Sequence, residues 1–408
     1  MKRKTPMNQT SEPTLGGYSV IFDHYAEIPM RHGRMVTDAP SLLRTRDGAL
    51  LCTVAAPFIV SHQTGKVLPK DPSFRSLMFF RSRNEGRTWQ RMDATSDFCC
   101  GTLFRHGDAL YFIGAGPVHR DPESGIKIIR SQDEGRTWTE PIMLFKGPFY
   151  NPAGGYVMRN DRFYWCFDTG RDTTYIVAGD LTRDLTDPSA WHISDGLPIP
   201  NVPPENTRKE SRRGKILEGN VVEVNGKLQV SWRFMIDELD TVGLGVICDV
   251  ADDGKHMDYR FRQFYPLPGA QNHFHIAHDP VGGLYWMSAN LPTRSQDQDP
   301  AFNARLDANP RYTRGPGMER RILALFCSFD ALNWLPAGYI VVWPLVRQAS
   351  NYCGLLIDGD DLLVAARTSR NGAHQHDNDL TTFHRIKNFR ARAAFLMEKE
   401  EHPAVAAP

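Results

Sequence analysis

The sequence lacks several features that would define its class at once. It has no run of about eighteen apolar residues, which excludes a membrane-spanning helix. It has no excess of either charge, because 48 Lys and Arg face 47 Asp and Glu and the formal net charge is +1. A balanced chain presents neither a basic face for nucleic acid nor an acidic tail. We therefore expect no nucleic-acid or membrane partner, and any anion site must be local.

Cysteine shows no pairing pattern. The seven cysteines are odd in number, lie in apolar runs and form no C-x-x-C pair. This pattern predicts buried thiols rather than disulfides or zinc ligands. Cys99 and Cys100 are neighbours in the chain, and adjacent cysteines rarely bridge each other.

The amino terminus is basic, but no apolar segment follows it, so the sequence shows no signal peptide. We expect a cytoplasmic protein, or a periplasmic one if a leader has been removed. Residues 1–16 are polar and are expected to be flexible.

What the sequence does contain is a repeat. Residues 131–138 read Ser-Gln-Asp-Glu-Gly-Arg-Thr-Trp, and residues 82–89 read Ser-Arg-Asn-Glu-Gly-Arg-Thr-Trp. Each copy follows a short apolar run, and its Asp or Asn and its Gly favour a tight turn. The Trp begins the next strand and offers a flat face for packing between neighbouring units. A repeated hairpin of this kind predicts an array of β units.

Weaker copies stand at 250–255 and 328–334. A strand, a polar turn and a second strand also recur at 39–56, 98–115, 154–168, 216–234, 273–289 and 352–368. Further strands are expected at 126–131, 174–179, 243–249, 321–327 and 381–387. We predict an all-β fold, a six-bladed β-propeller, with a seven-bladed ring or a β-sandwich as alternatives.

The predicted propeller is a single domain over residues 17–390, and residues 391–408 form a C-terminal tail. The strand at 17–22 is predicted to close the ring by pairing with the last blade. Segments 182–215 and 291–320 are rich in Pro, Arg and Asn, so we expect long loops at the rim of the binding face.

The repeated phrase S-x-D-x-G-x-T-W resembles the Asp-box, or BNR repeat, of the sialidase-like β-propellers. The resemblance implies a structural role for the phrase at the blade periphery. Segments 272–280 and 380–389 are similar to uncharacterised sialidase-like bacterial proteins, which are near propeller glycosidases and propeller polysaccharide lyases.

In a propeller the first strand of each blade runs beside the axis, so its opening residues converge on one pocket. Those residues are Asp38, 98–100, Asn151, Glu218, Asn220, Asn272, His273, His275, Asn351 and Tyr352. A polar cluster of this kind suits a sugar, whose hydroxyls need both donors and acceptors.

Four residues resemble a sialidase centre. Tyr352 matches the nucleophile, Glu218 its partner, and Arg233 and Arg321 match ligands of a substrate carboxylate. Asp38 stands where sialidases have an Arg, and an Asp repels a carboxylate. The resemblance therefore implies a glycoside hydrolase other than a true sialidase.

In this hydrolase Glu218 polarises Tyr352, and His62 or Asp38 is the acid. Candidate substrate-binding residues are Arg233, Arg321, Arg367, Asn220, His273 and His106. The expected substrate is an acidic oligosaccharide with a terminal glycosidic bond, and a uronate is one such sugar. An ion pair between Glu218 and Arg233 is the structural alternative for that pair.

Two other functions remain open. Related propeller lyases cleave rhamnose-glucuronate linkages by β-elimination, with a His and a Tyr as base and acid, and the resemblance extends to them. A non-catalytic glycan-binding propeller is the second alternative, and it predicts that Tyr352 and Glu218 are dispensable.

No cofactor is expected. The pairs His273/His275 and His374/His376 put two imidazoles on one side of a strand, with His384 as a third ligand. A lone H-x-H is a weak metal signal, so a structural metal ion at His275, His374 and His376 is only an alternative.

Overall fold

The recurring apolar runs form the strands of six sheets in a ring, five with four strands and one with five. The computed structural model describes residues 17–24, 33–56, 58–61, 67–68, 75–118, 120–170, 173–200, 215–235, 243–293, 319–345, 347–372, 375–376 and 378–396. Within them the protein is a six-bladed β-propeller, as the sequence predicts. No helix in these ranges is both long and apolar enough to cross a membrane.

The first three blades come from the amino-terminal half of the chain. Blade 1 contains β3 (Ser41–Arg44), β4 (Leu50–Ala55), β7 (Leu77–Ser82) and β8 (Gln90–Ser96). Blade 2 contains β9 (Cys100–His106), β10 (Ala109–Ala115), β11 (Ile126–Ser131) and β12 (Ile142–Phe145). Blade 3 contains β13 (Val157–Arg159), β14 (Arg162–Asp168), β15 (Thr173–Asp180) and β16 (Trp191–Ile193), with β17 (Leu197–Pro198) also on β15.

The remaining blades follow in order. Blade 4 contains β18 (Lys215–Val224), β19 (Lys227–Met235), β20 (Leu244–Asp252) and β21 (Met257–Pro266). Blade 5 contains β22 (Phe274–Asp279), β23 (Leu284–Leu291), β24 (Ile322–Ser328) and β25 (Leu335–Val342). Blade 6 contains β26 (Ala349–Asp358), β27 (Asp361–Ser369), β28 (Leu380–Ile386) and β1 (Tyr18–Asp23).

The amino-terminal strand closes the ring, which confirms the predicted closure. Strand β1 pairs antiparallel with β28, with Tyr18 opposite His384 and Asp23 opposite Leu380. Ring closure by a distant strand removes an exposed sheet edge. A small separate sheet consists of β2 (Gly33–Val36), β5 (Phe58–Ser61) and β6 (Val67–Leu68).

The prediction that 182–215 is only a loop is wrong for its first part. A 3₁₀ helix at Pro188–Ala190 leads into β16, and the indole of Trp191 donates to the Leu185 carbonyl at 2.8 Å. These edge elements have only three residues each, so the sequence shows little hydrophobic periodicity there. A second 3₁₀ helix, Phe389–Leu396, spans the predicted end of the propeller at residue 390. Residues 201–214 and 294–318 lie outside the described ranges.

The repeated phrase forms a turn built on its own side chains. The Ser131 hydroxyl accepts from the Gly135 N–H at 2.8 Å, and the Asp133 carboxylate accepts from the Thr137 N–H at 2.9 Å. Gly135 has a φ of 82°, a left-handed conformation that favours glycine. Trp138 then stacks on Phe79 of blade 1, with ring centroids 4.7 Å apart. The predicted packing of this Trp between units is confirmed.

The copy of the repeat in blade 1, residues 82–89, forms the same kind of turn. The Ser82 hydroxyl accepts from the Gly86 N–H at 2.9 Å, and Trp89 contacts Phe383 of blade 6 at 5.4 Å between ring centroids. A Cβ at Gly86 would lie 2.1 Å from the Phe383 ring, so only glycine fits at this close approach. The repeat therefore fixes how neighbouring blades pack.

The first strands of the blades surround the axis and contact one another. Strand β3 lies against β9 and β26, and β22 lies against β18 and β26. This arrangement brings the amino-terminal ends of the inner strands to one end of the axis, where the candidate site lies.

Candidate functional site

A buried ionic cluster lies at the axis, between blades 4 and 6. The Tyr352 hydroxyl donates to Oε1 of Glu218 at 2.9 Å, and the Arg233 guanidinium donates to Oε2 of Glu218 at 2.5 Å. The same Arg233 nitrogen is 3.2 Å from the Tyr352 hydroxyl oxygen. These side chains are only 2–6% exposed. The structure thus brings together three of the predicted site residues.

The backbone directs two of these side chains. Glu218 has a φ of 55° and Tyr352 a φ of 49°, both in the left-handed region that residues with side chains rarely adopt. Each lies at a β-bulge, where the register shifts between Leu217 and Asn220 in β18 and between Asn351 and Cys353 in β26. A bulge re-aims a side chain at the cost of local strain, and such strain is concentrated at functional sites.

Several further groups surround the Tyr352 ring. His273 stacks on it with ring centroids 5.0 Å apart and an interplanar angle of 15°. The guanidinium carbons of Arg367 and Arg320 lie 5.2 Å and 5.8 Å from the ring centroid. His376 approaches edge-on at 6.1 Å. The ring is therefore held by an imidazole stack and by two cations.

Asp38 forms a second acidic position near the same cluster. Its Oδ2 accepts from the Tyr150 hydroxyl at 2.6 Å, and its Oδ1 accepts from the Ala39 N–H at 2.8 Å. Burial raises the pKa of this carboxyl to about 6, although the Tyr150 bond and the charge of Arg367 oppose the shift. Asp38 is thus able to exchange a proton near neutral pH.

A second ion pair, between Asp168 and Arg120, holds the backbone of Glu218. Oδ1 of Asp168 accepts from Arg120 at 2.9 Å, and Oδ2 of Asp168 accepts from the backbone N–H of Glu218 at 2.9 Å. The Arg120 guanidinium also lies 4.6 Å from the centroid of the Tyr150 ring. This chain of contacts connects the strained Glu218 backbone to the phenol that bonds Asp38.

The protonation states follow from these contacts. Burial pushes the pKa of Glu218 up, but the charge of Arg233, with His273 and the hydrogen bonds, holds it below its ordinary value. Burial and the Glu218 charge raise the pKa of Tyr352, against the opposing charges of Arg233 and Arg320. Near neutral pH, Glu218 is therefore a carboxylate and Tyr352 a phenol. A carboxylate in contact with a phenol is arranged to accept its proton.

Arg233 is not arranged as a free ligand for a substrate. Its Nε donates to the Gln271 carbonyl at 2.8 Å, and a second nitrogen lies 3.3 Å from the Met235 sulfur. With Glu218 and Tyr352 already bound, the guanidinium has its contacts within the protein. Arg233 positions Glu218, which is the ion pair that the sequence offered as an alternative.

Two other predicted substrate-binding residues lie away from the cluster. Arg321 pairs with Glu319 at 3.3 Å and donates to the Trp343 carbonyl at 3.3 Å, whereas its neighbour Arg320 faces Tyr352. His106 is the last residue of β9, at the end opposite Cys100, and its Nε2 donates to the Leu181 carbonyl at 2.8 Å. Both assignments are corrected, because these contacts hold the side chains elsewhere.

Asn220 is buried at the axis, where its side chain bonds backbone groups of neighbouring blades. Its Oδ1 accepts from the Gly155 and Ile276 N–H groups at 2.7 Å and 2.9 Å, and its amide donates to the Phe274 carbonyl at 3.0 Å. The residue therefore joins blades 3, 4 and 5 rather than facing a ligand. His62, the other predicted acid, lies outside the described residues.

The histidines proposed for a metal do not converge where they are described. Nδ1 of His275 donates to the Cys353 carbonyl at 3.2 Å, and Nε2 of His384 lies 3.0 Å from the Thr382 hydroxyl. His376 faces Tyr352, and His374 lies outside the described residues. Over the described part of the chain, the group of three side chains able to hold a metal is Asp38, Cys99 and Cys100.

Sequence reasoning missed Arg120, Tyr150 and Asp168. Tyr150 immediately precedes Asn151, which the axial pattern did identify. Asp168 ends β14 and Arg120 lies in a connection between strands, so neither opens an inner strand. The one available signal was their charge within apolar surroundings, since a buried charged residue requires a partner.

Comparisons with known proteins bear on the fold. No protein-family model matches this chain, and no curated protein matches it. A solved protein of unknown function from Dyadobacter fermentans gives a TM-score of 0.54 at 15% identity, covering 86% of this chain and 94% of that chain.

Two solved glycosidases are also similar. The Trypanosoma rangeli sialidase in complex with sialic acid gives a TM-score of 0.54 at 15% identity, and the match covers 88% of this chain and 55% of that one. The Penicillium chrysogenum α-L-arabinanase complexed with arabinobiose gives 0.51 at 11% identity, covering 91% and 98%. At these identities the likeness shows the fold alone. The fold is that of the sialidase-like β-propellers.

Proposed function

We propose that this protein is a glycoside hydrolase that cleaves a terminal glycosidic bond, with Tyr352 as nucleophile. The observation that carries the proposal is the hydrogen bond from Tyr352 to Glu218 at the axis, held in place by Arg233. Both partners occupy strained bulges, so the fold maintains this contact against a local cost. The fold shared with a sialidase and an arabinanase agrees with this chemistry.

In the first step the Tyr352 oxygen attacks the anomeric carbon and the glycosidic bond breaks. The phenol proton passes to the Glu218 carboxylate, which already accepts its hydrogen bond. The transfer is needed because burial and the Glu218 charge keep the pKa of the free phenol high. In the second step water attacks the anomeric carbon, and Tyr352 leaves and recovers its proton.

Asp38 is the proposed acid. Its neighbour Ala39 belongs to the same buried apolar cluster as Tyr352, and its carboxyl interacts electrostatically with Glu218 and Tyr352. A carboxyl with a pKa of about 6 gives its proton to the leaving oxygen and later takes one from water. His62 remains an alternative proposal for this role.

The proposed substrate is an acidic oligosaccharide. Arg367 lies beside Tyr352, and no carboxylate of the described chain is within ion-pair distance of it. Its guanidinium donates to the backbone carbonyl of His376, and its charge acts on the nearby Asp38 carboxylate without forming an ion pair among the described residues. Together with Arg320 it offers a carboxylate of the substrate a charged partner on this side of the nucleophile.

A lyase is the second candidate, because of His273. Its Nε2 donates to the Ala153 carbonyl at 3.1 Å, and its Nδ1 has no hydrogen-bond partner among the described residues. Burial lowers its pKa to about 4, so the imidazole is neutral. A neutral imidazole stacked on Tyr352 supports base and acid roles in a β-elimination.

The products distinguish these functions. We would incubate the protein with uronate-containing and sialylated oligosaccharides and follow reducing-end release together with the ultraviolet absorbance of an unsaturated uronate. Sugar release without absorbance is the expected result for hydrolysis. A rise in both signals would establish a lyase and remove Tyr352 as nucleophile. Binding of an oligosaccharide without either signal would favour the non-catalytic glycan-binding propeller.

A further inference from the structure

A second cluster of reactive groups lies between blades 1 and 2, at the ends of their inner strands. It contains the carboxylate of Asp38, just before β3, and the thiols of Cys99 and Cys100, at the start of β9. Their donor atoms all lie within 4.8 Å of one another. The two cysteines are fully buried, and Asp38 is 6% exposed.

We propose that Asp38, Cys99 and Cys100 form a binding site for a thiophilic divalent cation of the zinc and cadmium type. In a tetrahedral zinc site, bonds of about 2.3 Å to sulfur and 2.0–2.2 Å to oxygen place the donor atoms roughly 3.5–3.8 Å apart. The observed spacing is compatible with such a site after a shift of about an ångström.

The donor set selects the kind of ion. Two thiols and one carboxylate suit borderline-soft cations, whereas calcium and magnesium require mostly oxygen ligands. Three protein ligands leave a fourth position, which water would complete. On binding, each thiol loses its proton to solvent and forms a sulfur–metal bond, and no oxidation occurs.

The surroundings already orient the ligands. The Tyr150 hydroxyl bonds Oδ2 of Asp38 at 2.6 Å, as outer partners of metal-binding carboxylates do. The Cys99 N–H donates to the Ala115 and Gly116 carbonyls at 3.0 Å and 3.2 Å, which fixes the backbone at this cysteine. The Ser41 hydroxyl accepts from the Leu103 N–H at 2.9 Å and joins the two blades.

The charge balance is also favourable. A divalent cation with two thiolates and a carboxylate carries a net charge of −1. Arg120 lies over the Tyr150 ring at 4.6 Å, and the charge of Arg367 acts on Asp38. Arg120 already pairs with Asp168, so the charge of Arg367 is the one that offsets the remaining negative charge of a loaded site.

One consequence rests on the proposed function. A metal-bound carboxylate of Asp38 cannot act as the acid, so the loaded protein would be inactive as a hydrolase. The site would then make the activity sensitive to thiophilic metals.

The test is a titration of the reduced, metal-free protein with Cd²⁺, followed by calorimetry and by the ultraviolet sulfur-to-cadmium charge-transfer band. We expect one ion per chain. We expect affinity about 100-fold weaker or more in Cys99→Ser and Cys100→Ser, and a clear loss in Asp38→Asn. Cys248→Ser is the matched control, because Cys248 is also buried but lies in blade 4.

Two results of the cadmium titration would contradict the proposed metal site. One is the absence of the charge-transfer band in the folded wild-type protein, and the other is equal cadmium affinity in the Cys99→Ser, Cys100→Ser and Cys248→Ser proteins. Circular dichroism of each variant separates loss of a ligand from loss of the fold. The hydrolase proposal can fail while the metal site stands. That result would be a metal-free protein that releases no sugar but still binds cadmium.

Discussion

Tyr352 donates a hydrogen bond to Glu218 at 2.9 Å although blades 4 and 6, which carry them, are not neighbours in the ring. Both residues have a positive φ at a β-bulge near the beginning of an inner strand. The same irregularity in two separate blades therefore creates one contact. This relationship underlies the first two predictions below.

Replacing the nucleophile should abolish turnover and leave the fold intact. Tyr352→Phe removes the attacking oxygen, so kcat should fall by about 10³-fold or more. Tyr164→Phe is the matched control, because Tyr164 also bonds a carboxylate, that of Asp252 at 2.9 Å, but lies away from the cluster. Initial rates on a substrate from the panel measure the effect. Equal rates in the two variants would remove Tyr352 from the chemistry.

Arg233 should matter mainly for stability and for the position of Glu218. Arg233→Met leaves a buried carboxylate without its counter-ion, which should cost about 3–5 kcal/mol of unfolding free energy. Lys146→Met removes an exposed ion pair with Glu123 and should not change stability measurably. Urea unfolding of both variants tests this. A small loss in Arg233→Met, similar to that of the control, would show that Glu218 becomes protonated or hydrated instead.

The pH dependence of hydrolysis should follow Asp38. The acid must be protonated, so activity should decline as pH rises through its pKa of about 6. The Tyr150 bond lowers this pKa, and Tyr150→Phe should therefore move the basic limb upward by about one pH unit. Profiles of kcat/KM against pH give the apparent pKa at which activity declines on the basic side. A limb unchanged by Tyr150→Phe would assign the acid to another residue, such as His62.

Buried histidines should make the protein less stable in acid. Burial lowers the pKa of His384 to about 4 from an ordinary value of 6.5, and His24, His273 and His275 are shifted in the same direction. Between pH 6.5 and 4 the unfolded chain takes up protons that the folded chain does not, so stability falls as pH falls.

The contribution of one histidine can be measured. His384→Gln should reduce the loss of unfolding free energy between pH 7 and pH 5 by about 2 kcal/mol. His278→Gln, at an exposed position, is the control and should leave that loss unchanged. Denaturant titrations at the two pH values provide the comparison. An equal loss in wild type and His384→Gln would show that His384 is protonated in the folded state.

Much of the fold was predictable because it depends on local pattern. The repeated turn needs only a Ser, an Asp or Asn, a Gly and a following Trp within eight residues, and these encode both the hairpin and its packing on the next blade. Alternating apolar strands and polar turns then predict the number of blades. The short edge strand β16 was missed because three residues carry almost no periodicity.

The candidate site was predictable only in part. Tyr352 and Glu218 open inner strands, so their convergence follows from the architecture. The sequence analysis chose Arg321, but it is Arg320 that faces the Tyr352 ring. Neighbouring residues of an extended chain point in opposite directions, so only one of the two can face the axis. The periodicity of a strand does not say which of the two faces the axis.

The sequence by itself determined the blades, the ring closure and the two residues that meet at the axis, because strand period, turn chemistry and inner-strand position are local properties. Tertiary structure alone decided that Arg233 is bound within the protein, that Tyr150 bonds Asp38, and that Cys99 and Cys100 lie beside the same carboxylate. The Arg233 contact joins two strands of blade 4, and the other two contacts join residues of different blades. Their distances depend on how the blades pack around the axis, and no short stretch of sequence encodes that packing.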